Sequence, residues 1–263
     1  MKKAIFFILI FPLLFSCKDK NYRIIRTESN QDQLILSVLW YQRSAEMQAL
    51  YYQGYNIARL SLDEKLKQSD NRRPKAIIMD IDETVLDSSP VEASQVINNV
   101  TFSDSLWLAW IKKESAEPLP GALDFTRFAE SKGVEVFYIT NRKSRVESES
   151  TINNLRQKGY PFADSLHVIM RKDISSKETR RKAVAENYNI LLLLGDNLAD
   201  FDVIFDNRGD DLGFMAVGKN KEKFGSRFIL FPNPMYGSWL NAAISSAPGK
   251  TAREKFFQTL KSF

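Results

Sequence analysis

Cysteine and histidine are nearly absent from this sequence, with Cys17 and His167 the single example of each. Cys17 falls ahead of the expected folded domain, which excludes a thiol nucleophile, a disulfide or a cysteine-based zinc site within it. A lone His167 excludes a histidine-cluster metal site. Its place in the apolar run 166–170 fits a satisfied core histidine better than a catalytic imidazole. No internal repeat, low-complexity tract or basic run is present. Removing Lys2 and Lys3 with the leader described below lowers the formal charge from +5 to +3, so no nucleic acid polymer is expected as a partner. Hydrolytic chemistry in such a chain must rest on carboxylates, hydroxyls, lysine and metal.

What is present is an ordinary globular composition, 44% hydrophobic and 26% charged over 263 residues, enough for one elaborated domain with a full core. The stretch that organises it is 75–90, KAIIMDIDETVLDSSP. The apolar run 76–79, bounded by Pro74 and Asp80, reads as a short buried strand. Asp80 and Asp82 follow two residues apart, so both can project from the same carboxyl edge of a sheet. Crowded like charges are costly unless a cation offsets them, and a hard, oxygen-seeking ion such as Mg²⁺ suits two carboxylates.

Ahead of this stretch, Lys2 and Lys3 precede the apolar segment 4–15, too short for a permanent membrane span and shaped like a signal peptide. It ends in Leu14-Phe15-Ser16-Cys17, which resembles the lipobox of bacterial lipoproteins. The expectation is a signal peptide over 1–16, lipidation of Cys17, a polar tether over 17–31 and a domain over 32–263. Such a protein is anchored in the cell envelope, with the outer membrane of a Gram-negative bacterium as its expected location, because multiple acyl chains hold a protein stably to a bilayer.

From 32 to about 67 apolar residues recur every three to four positions, predicting one or two amphipathic helices whose aromatic residues pack. The segment 87–119 lacks a clean period; it and 32–70 are the expected elements of a small helical cap. Trp107 and Trp110, three apart, share a helix face and serve either as an anchor or as a stacking surface. Beyond it, 122–132 reads as a helix closed by Gly133, 134–139 as a strand ending in Thr140-Asn141-Arg142, and 151–158 as a helix. The run 166–170 reads as a strand and 190–194 as another, while 214–217 and 228–231 are further strand candidates. The capping-box spacing of Ser175 and Glu178 starts a helix with Lys177 in its first turn. Arg142, Arg180 and Arg181 either contact phosphate or, the favoured reading, solvate helix starts. Phe256, Phe257 and Leu260 mark a terminal helix that docks on the body or on a second subunit, which leaves a homodimer open. The alternation predicts an α/β fold, a doubly wound parallel sheet with a helical cap and an N-terminal helical extension. Asp80, Thr140 and Asp196 stand at strand ends, where ligands bind in such sheets.

Asp80, Asp82, Thr84, Thr140, Lys177, Asp196 and Asp200 form a coherent set for phosphoryl transfer. Asp80 can attack phosphorus, Asp82 can act as acid and then base, Thr140 and Lys177 can bind the phosphoryl oxygens, and Asp196 can hold Mg²⁺ with Asp80 and an oxygen of the Asp82 residue. These residues resemble the four motifs of the haloacid dehalogenase (HAD) superfamily, as Asp80-Ile-Asp-Glu-Thr84, Thr140, Lys177 and Gly195-Asp196-Asn-Leu-Ala-Asp200. More narrowly, Pro118-Leu-Pro-Gly-Ala122, Phe137-Tyr-Ile-Thr-Asn-Arg142, Ser176-Lys-Glu-Thr-Arg-Arg181 and Phe231-Pro-Asn-Pro-Met-Tyr-Gly237 resemble the class C acid phosphatases of the lipoprotein e family.

The resemblance implies a Mg²⁺-dependent phosphomonoesterase that acts on small organic phosphates, nucleoside monophosphates and nicotinamide mononucleotide among them, in the manner of a 5'-nucleotidase. It implies Asp80 as nucleophile, Asp82 as acid/base, Asp80, Asp82 and Asp196 as metal ligands, and Asp200 supporting the metal from behind. Asn141, Trp107, Trp110 and Tyr236 are the implied substrate contacts, the aromatic ones by stacking. Two departures stand out: Ser88 where asparagine is common, and Leu240 where an acidic residue often follows. Both bear on substrate preference, and neither is expected to touch the phosphoryl chemistry. Two alternatives remain, a phosphotransferase on the same fold and a nucleotide-binding surface lipoprotein with a vestigial site.

Overall fold

The computed structural model describes residues 31–68, 72–245, 247–249 and 251–263. The expected signal peptide, Cys17 and nearly all of the tether lie outside the described residues. Two helices open the described chain, α1 (Asp32–Arg43) and α2 (Ala45–Gln68), separated by the extended Ser44. The stripe of α2, Met47, Tyr51, Gly54, Tyr55, Ala58 and Leu62, follows helical spacing and is buried. It packs on Phe231, whose ring lies 5.0 Å from that of Tyr51 and 4.5 Å from that of Tyr55. A Cβ at Gly54 would come within 2.6 Å of Phe231, so glycine sets how closely α2 approaches. Of the two segments expected to form a cap, 32–70 is therefore rooted in the main core.

Five strands form one parallel sheet: β1 (Lys75–Met79), β2 (Val134–Lys143), β3 (Val168–Arg171), β4 (Asn189–Gly195) and β5 (Phe228–Leu230), in the order β3-β2-β1-β4-β5. Alternate residues feed opposite layers, as the pleat demands. Ile77, Met79, Val136, Tyr138, Leu192 and Leu194 join α2 and α5 (Ala122–Ser131) in the larger core. Ala76, Ile78, Phe137, Ile139 and Leu193 face Val184 of α7 (Glu178–Asn187) together with Phe201 and Phe205. A register shift between β1 and β4 at Ala76/Ile77 lets Leu191 and Leu192 both enter the larger core. His167 behaves as a core histidine: it is buried, its Nδ1 is 2.9 Å from Asp164 and its Nε2 3.0 Å from Glu135.

The remaining helices are α3 (Ser89–Asn98), α4 (Asp104–Ile111), α6 (Ser144–Gln157), α8 (Phe214–Lys219), α9 (Ser238–Ser245) and α10 (Ala252–Thr259). Two local expectations are corrected. Residues 214–217 are not a strand but the body of α8, because Asp211 accepts hydrogen bonds from the N–H groups of Gly213 and Met215 and starts a helix. Phe214 and Met215 are exposed there and have no sheet to join. The capping box at Ser175 and Glu178 does not form either. The Glu178 carboxylate turns to Arg181 at 2.8 Å, and α7 begins at Glu178 with Lys177 in the cap position. The irregular pattern of 87–119 has its reason in α3, whose buried face is Ser89, Val91, Glu92 and Gln95 and thus largely polar.

Candidate active site

The chain after β1 folds back at once. The Ile81 carbonyl accepts hydrogen bonds from the N–H groups of Thr84, Val85 and Leu86, and the buried Glu83 sits in the left-handed region at φ 53°. Three buried tyrosine hydroxyls fix this loop by donating to successive carbonyls: Tyr51 to Glu83 at 2.5 Å, Tyr55 to Thr84 at 2.6 Å and Tyr160 to Val85 at 2.6 Å. Tyr51 and Tyr55 of α2 are thus core, as expected, and they also clamp the loop that carries Asp80 and Asp82, whereas Tyr52, expected to pack as well, is exposed. On the opposite side, the Glu83 carboxyl accepts from the Ser88 N–H at 2.9 Å and from the Tyr236 hydroxyl. Burial first, then the neighbouring Asp82, Asp196 and Asp87, push that carboxyl well above its ordinary range.

The strand order reverses between β1 and β4, and the crevice there is where a doubly wound sheet binds ligands. Asp80 follows β1, and its N–H extends the ladder to the Leu194 carbonyl at 2.9 Å; Asp196 follows β4. Carboxylate oxygens of Asp80, Asp196 and Asp200 lie within 4.8 Å of one another. Lys177 Nζ, buried, stands 2.5 Å from Asp80 Oδ1 and 2.6 Å from Asp200 Oδ1. Its second carboxylate is turned inward by the Asn197 N–H, which donates to Asp200 Oδ2 at 2.9 Å. A Cβ on Gly195 would lie 2.5 Å from Asp200 Cβ, so this approach requires glycine. Asn233 Nδ2 donates to Asp196 Oδ2 at 2.8 Å.

Burial drives the electrostatics of this cluster. It pushes the Asp80 carboxyl up to about 7, Lys177 opposing and Asp200 and Asp82 adding to the rise. Asp196 moves well up for the same reason, with Asp200 and Asp80 beside it. Burial works to lower the Lys177 ammonium, but Asp200 and Asp80 outweigh it and raise it. Three carboxylates, Asp200 buried and Asp80 and Asp196 half-buried, against one ammonium leave an excess of negative charge. Hard oxygen donors at this spacing, in excess of the one ammonium among them, fit a small divalent cation.

Asp82 points elsewhere. Its carboxylate takes Arg142 Nη2 at 2.7 Å and Nε at 3.1 Å, and Ser88 Oγ donates to it at 2.6 Å. Two expectations therefore change. Arg142 is buried rather than solvating a helix start, and Ser88 touches the candidate acid/base rather than standing apart from the chemistry. Arg181 is likewise buried, donating to the Ala199 carbonyl at 2.7 Å. Arg180 ties Thr140 and Asn141 to the start of α7, through the Thr140 carbonyl at 2.5 Å and Asn141 Oδ1 at 2.7 Å. Thr140 is buried, its hydroxyl accepting from the Arg142 N–H at 3.1 Å.

A cavity of about 890 Å³ opens over this edge, bordered by Asp80, Asp82, Thr140, Asn141, Lys177, Asp196 and Asp200, with Trp107 and Tyr236 on its walls. Trp110 is not among its lining residues and packs against the core. Sequence reasoning named Arg142 and Ser88 but missed their contacts with Asp82, and it missed Asn233 and the Glu83–Tyr236 contact. The signal available for Asn233 was its place in the Phe-Pro-Asn-Pro segment; Arg142 and Tyr236 reach across the fold, while Ser88 meets Asp82 from six residues away.

A carboxylate paired with a buried ammonium, beside an aspartate cluster of the kind that holds a cation, at the carboxyl edge of a doubly wound sheet is equipment suited to a phosphoryl-transferring α/β protein. A family model described as HAD superfamily, subfamily IIIB (Acid phosphatase), matches residues 16–239, and the chain belongs to that family. Among solved structures, the class C acid phosphatase from Bacillus anthracis is similar at 42% identity and a TM-score of 0.82, over 89% of this chain and 99% of that one. The same protein with tungstate bound matches at 42% identity and a TM-score of 0.81, over 89% of this chain and 98% of that one. Two Glycine max proteins are more distant relatives. The stem 31 kDa glycoprotein is 26% identical over 165 residues and the stem 28 kDa glycoprotein 25% over 166, each match covering 60% of this chain. The chain spans 58% of the length of these two relatives.

Proposed function

We propose that the protein is a Mg²⁺-dependent acid phosphatase that hydrolyses small organic phosphomonoesters through an aspartyl phosphate on Asp80. The observation that carries this reading is Asp80 held between Lys177 and the Asp196–Asp200 pair at the sheet edge. Membership of the acid phosphatase family and the likeness to an enzyme that binds tungstate, a tetrahedral oxyanion, support it. A metal ion held by Asp80, Asp196 and an oxygen of the Asp82 residue, with Asp200 supporting it from behind, would supply positive charge against the phosphoryl oxygens and hold the carboxylates ionised. An Asp80 oxygen attacks phosphorus in line, forming the Asp80 O–P bond as the P–O bond to the alcohol breaks. Asp82 gives its proton to the departing alkoxide and takes one from the water that then cleaves the aspartyl phosphate, releasing phosphate and restoring Asp80. For this, the Asp82 carboxyl must turn from Arg142 and Ser88 toward the leaving oxygen. Lys177 and the Thr140 hydroxyl bind the phosphoryl oxygens.

Lys2, Lys3, the apolar segment 4–15 and Cys17 support a lipid-anchored protein of the cell envelope. Replacing Cys17 with alanine should then release the activity into the soluble fraction. The main test is phosphate release by a form lacking residues 1–17 from phenyl phosphate, several nucleoside monophosphates and nicotinamide mononucleotide, with Mg²⁺ and with chelator. Metal-dependent release is expected; no release from any member by folded protein would overturn the reading.

A further inference from the structure

The mechanism above requires Asp82 to turn, and two residues oppose the turn. Oδ1 of Asp82 accepts from Arg142 Nη2 at 2.7 Å and from Ser88 Oγ at 2.6 Å, while Oδ2 accepts from Arg142 Nε at 3.1 Å. Neither partner is free to follow the carboxylate. Arg142 is buried, its Nη1 donates to Thr151 Oγ1 of α6 at 3.2 Å, and its guanidinium carbon lies 5.7 Å from the ring centre of Trp107 on α4. Ser88 is buried as well, and its N–H is fixed on the Glu83 carboxyl at 2.9 Å. It occupies the N-cap of α3, where a serine hydroxyl ordinarily accepts from a helix N–H. No such cap bond forms, and the hydroxyl donates to Asp82 instead.

We propose that Arg142 and Ser88 are positioning residues that latch Asp82 in a resting orientation, so that it reaches the leaving oxygen only after both contacts break. This rests on the reading of Asp82 as acid and base given above. A phosphomonoester enters with negative charge, and a bare carboxylate aimed at its leaving oxygen would repel it. Against the Arg142 guanidinium that charge is balanced. The consequence is that the working orientation is a minor state, and a step that depends on it slows in proportion to its population. Leaving groups differ in how far they need the acid. A nitrophenolate departs without a proton, whereas an alkoxide does not. The latch therefore slows the release of poor leaving groups more than that of good ones.

Ser88→Ala removes one donor from Asp82 and takes no cap bond from α3. The test compares kcat/KM, which covers the steps up to the aspartyl phosphate, for glycerol 2-phosphate and p-nitrophenyl phosphate with Mg²⁺ in the parent and in Ser88→Ala. The ratio of the first to the second should rise about tenfold in the variant, the worth of one hydrogen bond to a charged group. A purely structural role would change both substrates equally and leave the ratio where it was, which would overturn the proposal. A lower ratio would also overturn it, by showing that the contacts hold Asp82 in its working position. If Ser88→Ala does not fold, Thr151→Val, which loosens Arg142 from behind, decides the matter by the same ratio. Asp82→Asn tests the reading beneath the proposal. It should lower the ratio below that of the parent, and an unaltered ratio there would overturn Asp82 as the acid.

Discussion

Asp80 and Glu92 are both acids whose carboxyls burial lifts to about 7, yet they make opposite demands on the protein. In the proposed mechanism Asp80 must be ionised to attack, which the Lys177 ammonium and a divalent cation favour. Asp80→Asn keeps the volume and removes the nucleophile, so turnover should fall by at least roughly a thousandfold with the circular dichroism spectrum unchanged. Turnover near that of the parent would remove Asp80 from the mechanism. Glu92 accepts a hydrogen bond from Gln95 and, being buried, holds its proton longer than it does in the unfolded chain. Between its ordinary 4.5 and about 7 the folded form binds more protons than the unfolded one, so stability declines as pH rises through that window. The decline amounts to at most roughly 3 kcal/mol. Urea unfolding at pH 5 and pH 7.5 should show it in the parent and a smaller fall in Glu92→Gln; equal falls would show that Glu92 is not its source. Arg142 teaches a different lesson at this scale. Sixty residues separate it from Asp82, and nothing local distinguishes an arginine bound to a buried carboxylate from one in water.

At the scale of elements, the strands were legible because burial on both faces leaves a plain mark, a run of four to seven apolar residues such as 190–194 or 76–79. The apolar run 214–217 carried the same mark and folded as α8, since Asp211 supplies a helix start and the run lies on the surface. The turn after β4 shows how closely an element end can control the site. Gly195 lets Asp200 pack against the strand, and a methyl group there meets its side chain. Gly195→Ala should push Asp200 out of the cluster and weaken Mg²⁺ binding about tenfold, the effect expected when a ligand's support is lost. Isothermal titration with Mg²⁺ would measure it, and an unaltered affinity would show that Asp200 is dispensable to the cation.

Across the whole molecule, the sheet order places β1 and β4 side by side while the chain between their ends runs through β2 and β3. The site is therefore assembled from four distant segments and exists only in the folded state. A cation that binds the folded chain alone must stabilise it, by about 2.7 kcal/mol at a hundredfold excess over its dissociation constant. The Tm should climb with Mg²⁺ and return with chelator, and Asp196→Asn should remove most of the climb. A Tm indifferent to Mg²⁺ would argue against a cation site at this edge.

The sequence by itself determined the parallel sheet, most of its strands, and the fact that Asp80 and Asp196 follow strand ends, whereas Thr140, expected at an end, lies inside β2, which runs on to Lys143. These follow from periodicity and strand termination, which are properties of neighbouring residues. Tertiary structure alone decided which groups those residues meet: Lys177 between Asp80 and Asp200, Arg142 and Ser88 on Asp82, Asn233 on Asp196, and three tyrosines on the loop after β1. It also decided that Trp107 borders the cavity while Trp110 joins the core. Most of these contacts join segments tens of residues apart, and their strength depends on burial, which no single stretch of chain possesses before the layers close around it.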